Sequence, residues 1–576
     1  MQNPKQEIQK IFNETGQSER DAENLANALT RLTGDLYTET ERFIFELLQN
    51  ADDIPNESRK VDVVFVILKE HFLILHNGKP FNSNNVDAIS SISKSTKANN
   101  SEQTGYKGIG FKSVFADSEC VYINSGDFSF KFDKRDKKHT NIEKTPWQIK
   151  PIWMDKKEYP LEIQQYQQFF TSPVATAIYV GQSKIQEYKT KLERLFQDPR
   201  LILFLRHVQK IDVIGLNNTK TANISINKEK QGEKYKICRN NQITYWLVQD
   251  FEFNVPQQIR DKMEGDKKIP DKLKLVQRSK ITFAAQLIDN KLTGVNEEDS
   301  VLFTYLPTNV KEYKFPFLVN ADFLTTANRQ EIHHDNIWNI FLFSNIAYYS
   351  LKWMSEVAHK AEYRNQITNI LPSKFSAFLA KSETFIAFNQ EFDLALQLIP
   401  FLPSEQGNKL LTVNESILDE TEITRIISAE TVRISFDSQR YFTSNSLINK
   451  NKLKDLGVKT FDVKSLCNFL KSTHYRNITQ NNYQIIFQVI SHLKIKNLSN
   501  KELLSIEFIL DEENKLASPQ ILYFQISESE KQLLNFAFFN FIHPDIDKQL
   551  RKDEDLLKWV INNLKIKFFD GCEARA

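Results

Sequence analysis

Apolar residues recur at helical spacing over residues 20–54, with Phe43, Ile44, Leu47, Leu48 and Ala51 on one face and a turn-like break at Gly34. Two β-branched runs come next, Val61–Leu68 and Phe72–Leu75, about a short polar turn, which predicts a hairpin. Residues 82–104 are small and polar with one short helical segment, a loop pattern. Cys120–Asn124 and Phe128–Phe132 flank Ser125-Gly126-Asp127 as a second hairpin. Val174–Val180 predicts a strand, Ile185–Leu195 a helix and Leu201–Leu205 a buried segment. Lys- and Asn-rich sequence from 216 to 240 predicts a domain boundary, and a second charged stretch, 261–272, interrupts the chain beyond it. Leu302–Leu306 and Phe315–Val319 predict strands leading to Asp322–Ile332, and residues 338–400 are helical and aromatic-rich. Two later segments resemble each other, Pro400–Leu418 and Phe508–Phe524. Each is an apolar run, an acidic polar turn with Asn-Lys-Leu and a return to hydrophobics, either a weak duplication or two similar hairpins.

The chain has 576 residues, more than one core serves, since single cores stop growing near ~250–300 residues. The pattern divides it into residues 1–215, 216–340 and 341–576, the last with room for two subdomains. A hydrophobic fraction of 41% with 26% charged residues excludes global disorder. Lys+Arg 75 against Asp+Glu 73 leaves +2, so no net field drives nucleic-acid or membrane binding. The apolar run Phe536–Ile542 is far short of the ~20 residues of a membrane span. Residues 1–17 are polar, without an apolar signal core, so a cytoplasmic location is expected. The four cysteines form no CxxC pair and the ten histidines no HExxH, which argues against a zinc site or disulfide framework.

Glu46, Asn50 and Asp53 lie at i, i+4 and i+7, one stripe of a helix. Alone, that trio reads as a solvated polar face. Its company changes the reading. The chain has only 15 glycines, yet Gly105, Gly108 and Gly110 fall within six positions, in Thr104-Gly105-Tyr106-Lys107-Gly108-Ile109-Gly110-Phe111-Lys112-Ser113. Glycines before a helix expose successive N–H groups, an anion cradle suited to phosphates. The dinucleotide fingerprint fails, because the order is GxxGxG after a polar loop. A Walker A loop fails because Phe111 stands between Gly110 and Lys112. VAIK, HRD and DFG elements of a protein kinase are absent from the sequence. A tight helix–strand turn would need one or two glycines rather than three.

Between these segments stand His76-Asn77-Gly78-Lys79-Pro80-Phe81, at a strand end, and Ile92-Ser93-Lys94-Ser95-Thr96-Lys97. The ordered set over residues ~20–210 closely resembles the ATP-binding fold of the GHKL superfamily, shared by gyrase, heat-shock chaperone, sensor-kinase and mismatch-repair ATPases. The wording ELLQNADD, HNGKPF, SISKSTK and TGYKGIGFKSVF resembles its sacsin-like, chaperone-like branch. The resemblance implies an α/β chain: a Bergerat-type α/β sandwich, an antiparallel-rich sheet with helices on one face, then a middle transducer-like α/β domain and a C-terminal α/β region. It implies Glu46 as the general base and Asn50 as the Mg²⁺ ligand. Asp53 falls near the adenine and ribose, Gly78 in the adjoining turn, and Lys94, Ser95 and Thr96 in a lid. Gly105, Gly108, Ile109, Gly110, Phe111 and Lys112 form the phosphate loop, and Thr176 supports the base pocket. The family's usual adenine-binding aspartate falls on His76; a neutral imidazole accepts one hydrogen bond but carries no charge. Leu306-Pro307-Thr308 and Phe317–Arg329, ending FLTTANRQEI, resemble the segment carrying the chaperone's catalytic arginine. Arg329 then either reaches the γ-phosphate or pairs with Glu331 or Asp322.

The implied activity is Mg²⁺-dependent hydrolysis of ATP to ADP and phosphate, coupled to lid closure and transient dimerisation. The implied cofactors are ATP and Mg²⁺. Implied partners are a second copy or another protein, a client or a defence-system subunit, with no membrane and nucleic acid left open. The alternatives are an ATPase component of a bacterial antiviral defence or nucleic-acid-processing system, and a non-hydrolysing ATP-binding scaffold.

Overall fold

In the computed structural model Val61–Ile67 (β1) and His71–His76 (β2) pair antiparallel, with Val63 opposite His76 and Phe65 opposite Ile74. The structure describes residues 3–16, 18–36, 41–53, 57–91, 110–116, 118–136, 145–216, 222–266, 269–326, 331–376, 382–407, 409–527, 530–531 and 539–569. They fall into two units, Met1–Ile346 with Lys374–Gln390, and Ala347–Ser373 with Glu391–Ala576.

The first unit is organised by the sheet that grows from this hairpin. On one side β2 pairs antiparallel with Val174–Tyr179, the strand expected there, which continues into the Cys120–Ser125 and Phe128–Asp133 hairpin. On the other side β1 pairs in parallel with Val208–Ile214. An antiparallel meander then runs through Ala222–Gln231, Lys234–Arg239, Gln242–Asn254 and Arg278–Ile288. Among the described residues one sheet of 15 strands results, mostly antiparallel, in a mixed α/β architecture.

The Lys- and Asn-rich sequence expected as a boundary is therefore partly strand. Ala222–Gln231 alternates buried Ile224 and Ile226 with more accessible Ser225 and Asn227. An antiparallel strand with one wet face carries enough polar residues to read as a linker. The sheet runs unbroken from the first expected domain into the second.

Among the described residues three helices precede β1: Pro4–Glu14 (α1), Glu19–Leu36 (α2) and Glu41–Asp53 (α3). Gly34, where a turn-like break was expected, lies within α2. Phe43, Ile44, Leu47, Leu48 and Ala51 of α3 share one core with Val63, Phe65, Phe72, Ile74, Ile123 and Ile178. Phe43 meets Phe72 edge-on at 5.8 Å between ring centroids. Leu73, Leu75, Cys120, Tyr122, Ala175 and Ala177, on the opposite face, pack with Met154, Tyr159 and Phe169. Both faces are thus dry, and register is strongly specified.

In the second unit the two similar segments are built alike, beyond a shared hairpin. Leu402–Pro403 pairs with Leu410–Leu411, and Ile509–Leu510 with Leu516–Ala517. Ser404 bridges Thr443, and Asp511 bridges Ile542. Ile417 lies parallel to Phe442 and Lys459, as Tyr523 lies parallel to Phe541 and Lys567. The cross-links repeat as well: Glu405 N–H donates to the Phe442 carbonyl at 2.8 Å, and Glu512 N–H to that of Phe541 at 2.9 Å. This is an internal structural duplication. Among the described residues no helix is long and apolar enough to cross a membrane.

Candidate functional site

Helix α3 sets the site because its apolar face is committed to the sheet, which turns its polar stripe along the sheet surface. Glu46 and Asn50 are half-buried, and Asp53 is only 5% exposed. A solvated stripe would leave all three in water, so that simpler reading does not describe this helix. The 3-10 helix Gly110–Phe115 packs against α3, bringing the end of the glycine segment to the helix that bears the carboxylates.

The sheet supplies the opposite wall. Directly opposed residues in an antiparallel pair face the same side. His76 lies opposite Val63 and Val174, and Thr176 opposite Ile74 and Ile123. His76 and Thr176 therefore share the face covered by α3, whose core residues include Val63, Ile74 and Ile123. Thr176 is buried and His76 half-buried. Positions 46, 50 and 53 thus lie on the helix that covers the sheet face bearing positions 76 and 176.

His76 differs from expectation in a chemical detail. Its Nδ1 accepts a hydrogen bond from the Gly78 N–H at 3.2 Å. The acceptor nitrogen expected to meet the adenine amino group is consequently in use within the turn. Burial pushes the imidazole down to about 4, so the ring is neutral at physiological pH. Asn77 Oδ1 accepts from the Asp62 N–H at 2.8 Å, tying the same turn to β1.

Lys112 also departs from its expected place among the phosphate contacts. It is 4% exposed, and its ammonium donates to the Ile89 carbonyl and, at 2.9 Å, to the Gln148 carbonyl. The rings of Phe115 and Phe132 lie 5.6 and 5.5 Å from it. Burial lowers its pKa to about 7. Lys112 faces the core and fastens the end of Ser83–Ile89 to the glycine segment's helix. Phe111 is half-buried, edge-on to Phe115 at 5.9 Å.

Asp52, which carries no motif signal of its own, is the carboxylate that holds α3 in place. Its oxygens accept from the N–H groups of Arg206, His207 and Val208 at 2.9, 2.7 and 2.9 Å. Its carbonyl also meets His207 Nδ1 at 2.7 Å. Asp53, one residue on, lies near the Arg206 guanidinium. Burial alone would lower that guanidinium's pKa, but Tyr305, Asp322 and Asp53 more than offset it and raise it. Arg206 donates to the Tyr305 hydroxyl, and its guanidinium stacks on that ring. No sequence signal marks this group, because its members are spread from residue 53 to residue 322.

Lys94, Ser95, Thr96, Gly105, Gly108, Ile109 and Arg329 lie outside the described residues, and Gly110 is described as the first residue of its 3-10 helix. Among the described residues no three His, Cys, Asp or Glu side chains gather as metal ligands. The donors present fit a magnesium nucleotide instead. Asn50 offers a hard amide oxygen of the kind Mg²⁺ takes beside phosphate oxygens, and Glu46 a carboxylate one turn away.

Comparison with known proteins shows what this part of the chain is similar to. The Sacsin domain model matches residues 23–183, which contain α3, β1, β2 and the glycine segment. This part of the chain is sacsin-like. Two proteins carry the likeness. Protein NO VEIN of Arabidopsis thaliana is 27% identical over 331 residues, 56% of this chain and 11% of that protein. Sacsin of Homo sapiens is 32% identical over 111 residues, 17% of this chain and 2% of that protein. The chain thus matches only a small part of either relative's length.

Proposed function

We propose that this chain is a Mg²⁺-dependent ATPase of the GHKL type whose nucleotide lies between α3 and the sheet face bearing His76 and Thr176. The observation that supports it is the half-buried Glu46 and Asn50 on α3, the helix against which Gly110–Phe115 packs. Asn50 would hold Mg²⁺ through its side-chain oxygen. When bound, the metal would neutralise charge on the phosphate oxygens. Glu46 orients a water molecule and takes its proton as the water oxygen bonds to the terminal phosphorus and the bond from that phosphorus to the bridging oxygen breaks, so that ADP and phosphate leave. By the resemblance, the N–H groups of the glycine segment and Lys94, Ser95 and Thr96 would hold the phosphates, and Arg329 would add positive charge to the transferring group. The barrier falls chiefly through positioning and charge stabilisation. ATP binding and hydrolysis are coupled to lid closure and a conformational change acting on a protein partner.

The test is turnover with binding measured in parallel. Glu46→Ala should retain nucleotide affinity while hydrolysis falls by a factor of order 10² or more. Equal hydrolysis by variant and wild type removes Glu46 from the mechanism. Wild type that binds but does not turn over makes the chain a nucleotide-gated scaffold.

A further inference from the structure

We infer that the second unit carries a docking surface for an acidic peptide segment with apolar residues, centred on Arg425, Lys450 and Lys496 with Ile448 and Ile495 beside them. It involves none of the residues of the nucleotide reading.

The surface is built around one carboxylate. Glu422 stands at the start of the 3-10 helix Ile423–Arg425 and takes φ 54°. Three elements each send a cation to it. Arg425 Nε reaches it at 2.7 Å from within that helix. Lys496, just past the helix Tyr483–Ile495, reaches it at 2.7 Å, and Lys450, ahead of Asn451–Asp455, at 3.4 Å. Burial by itself would raise the Glu422 carboxyl, but the three cations hold it down at about 2. Among the described residues none of the three pairs with a second carboxylate, so two positive charges stand in excess.

The backbone beneath the cluster is fixed. Buried Asp419 accepts from the N–H and hydroxyl groups of Thr421 and Thr424 at 2.7 to 3.0 Å. His492 Nε2 donates to the Thr421 carbonyl at 2.7 Å, and Arg425 also donates to the Asn445 carbonyl at 3.1 Å. Exposed ion pairs usually gain little, because two long side chains must be ordered to make them. Here the loop presenting Glu422 is already held, and the cations converge on it.

The occupant follows from this chemistry. The cations already hold a carboxylate, so Glu422 displays the group they take. Ile495, next to Lys496, is 75% exposed, and Ile448, two residues before Lys450, is 43% exposed. Apolar side chains beside uncompensated cations suit a protein segment that brings apolar and acidic residues together. A single-stranded nucleic acid calls for aromatic rings on which its bases stack, and both of these side chains are aliphatic.

The experiment is fluorescence anisotropy of the full chain with a labelled peptide of repeating Glu-Glu-Leu-Glu-Leu units. Its counterpart with lysine in place of glutamate, an oligothymidylate and phosphatidylserine vesicles are measured alongside. The acidic peptide should bind and the basic one should not. Lys496→Glu and Ile495→Ser, both changes at the surface, should each weaken binding about tenfold. Glu422→Gln releases the three cations and should tighten it about fivefold. A Glu422 that only clamped the fold would give the opposite sign or none. The inference is overturned if the acidic peptide fails to bind, if Lys496→Glu binds it as wild type does, or if Glu422→Gln does not tighten it. Tighter binding of oligothymidylate or vesicles than of the acidic peptide overturns it as well.

Discussion

The guanidinium of Arg206 lies 4.3 Å from the centroid of the Tyr305 ring and also donates to that residue's hydroxyl. The contact joins the loop before Val208–Ile214 to the turn after Leu302–Thr304, nearly a hundred residues on. Tyr305 adopts φ 66°, a conformation that strains a bulky L-residue, and its N–H donates to Asn320 Oδ1 at 2.6 Å. Burial raises its phenol, and Asp322 raises it further. The tyrosine is held in an unfavourable backbone state by its partners on both sides.

Tyr305→Phe keeps the ring and removes the hydroxyl that Arg206 donates to. A buried donor left without its partner costs roughly 1–3 kcal/mol. The expected outcome is a lower melting temperature for the first unit, monitored by circular dichroism. An unchanged melting curve would show that the hydroxyl contact contributes nothing.

Asp52 should matter to folding and not to chemistry. Asp52→Ala strands the N–H groups of Arg206, His207 and Val208, the last buried and the first two half-buried, and should cost roughly 3–5 kcal/mol. Asp52→Asn keeps one carbonyl oxygen and should fall between. Urea melts of the three proteins give the order. If Asp52→Ala melts with the wild type, α3 is held by its apolar face alone.

Lys112 gives a pH signature. Its pKa falls from 10.5 in the unfolded chain to about 7 in the folded one. Between those values the unfolded chain keeps a proton that the folded chain has released, so stability rises with pH across that window. Lys112→Met lacks the group and should lack that part of the rise. Denaturant midpoints at several pH values for both proteins test it; parallel curves would mean the amine is charged when folded.

His76 gives a second one. With its pKa held near 4 by burial, the imidazole stays neutral well below the ordinary value of 6.5. Nucleotide affinity should therefore show no inflection from this group near pH 6.5. The unfolded chain protonates first, so this group's contribution to stability is full above 6.5 and is lost as the pH falls towards 4. An affinity that collapses near pH 6.5 in wild type, and not in His76→Gln, would mean the ring is charged there.

Arg329→Ala should lower turnover with little change in nucleotide affinity, since a charge placed on the transferring phosphoryl group helps the transition state more than the bound substrate. Single-turnover rates alongside equilibrium binding separate the two. Weakened binding at unchanged rate would make Arg329 a ground-state contact.

The features plainly legible in the sequence were local ones. The β1–β2 and Cys120–Ser125/Phe128–Asp133 hairpins and the apolar face of α3 each arise from a period within one segment. Motif order placed Glu46 and Asn50 on a helix and His76 and Thr176 on strands, and those are the elements they occupy. Asp52 did not, because its partners lie more than 150 positions away and nothing near it distinguishes it from Asp53. Lys112 misled for a related reason: beside glycines a lysine looks like a phosphate ligand, and only tertiary packing shows it caught by two carbonyls. The 222–239 hairpin misled because wet-faced strands and linkers share a composition.

The duplicated halves of the second unit give the molecule its own reference standard. In the first copy Gly407 takes the left-handed turn position at φ 81°; in the second Asn514 takes it at φ 62°. The first turn is one residue longer, closing from Ser404 to Lys409, where the second closes from Asp511 to Lys515. Asp511 grips its own turn through the N–H groups of Glu513 and Lys515, while the Ser404 hydroxyl, buried, is without a hydrogen-bond partner. What the two repeats share is what the architecture demands, and what separates them is what the architecture leaves free. A substitution in one copy thus comes with a sister position, about a hundred residues away, at which the same change can be read in a second sequence background.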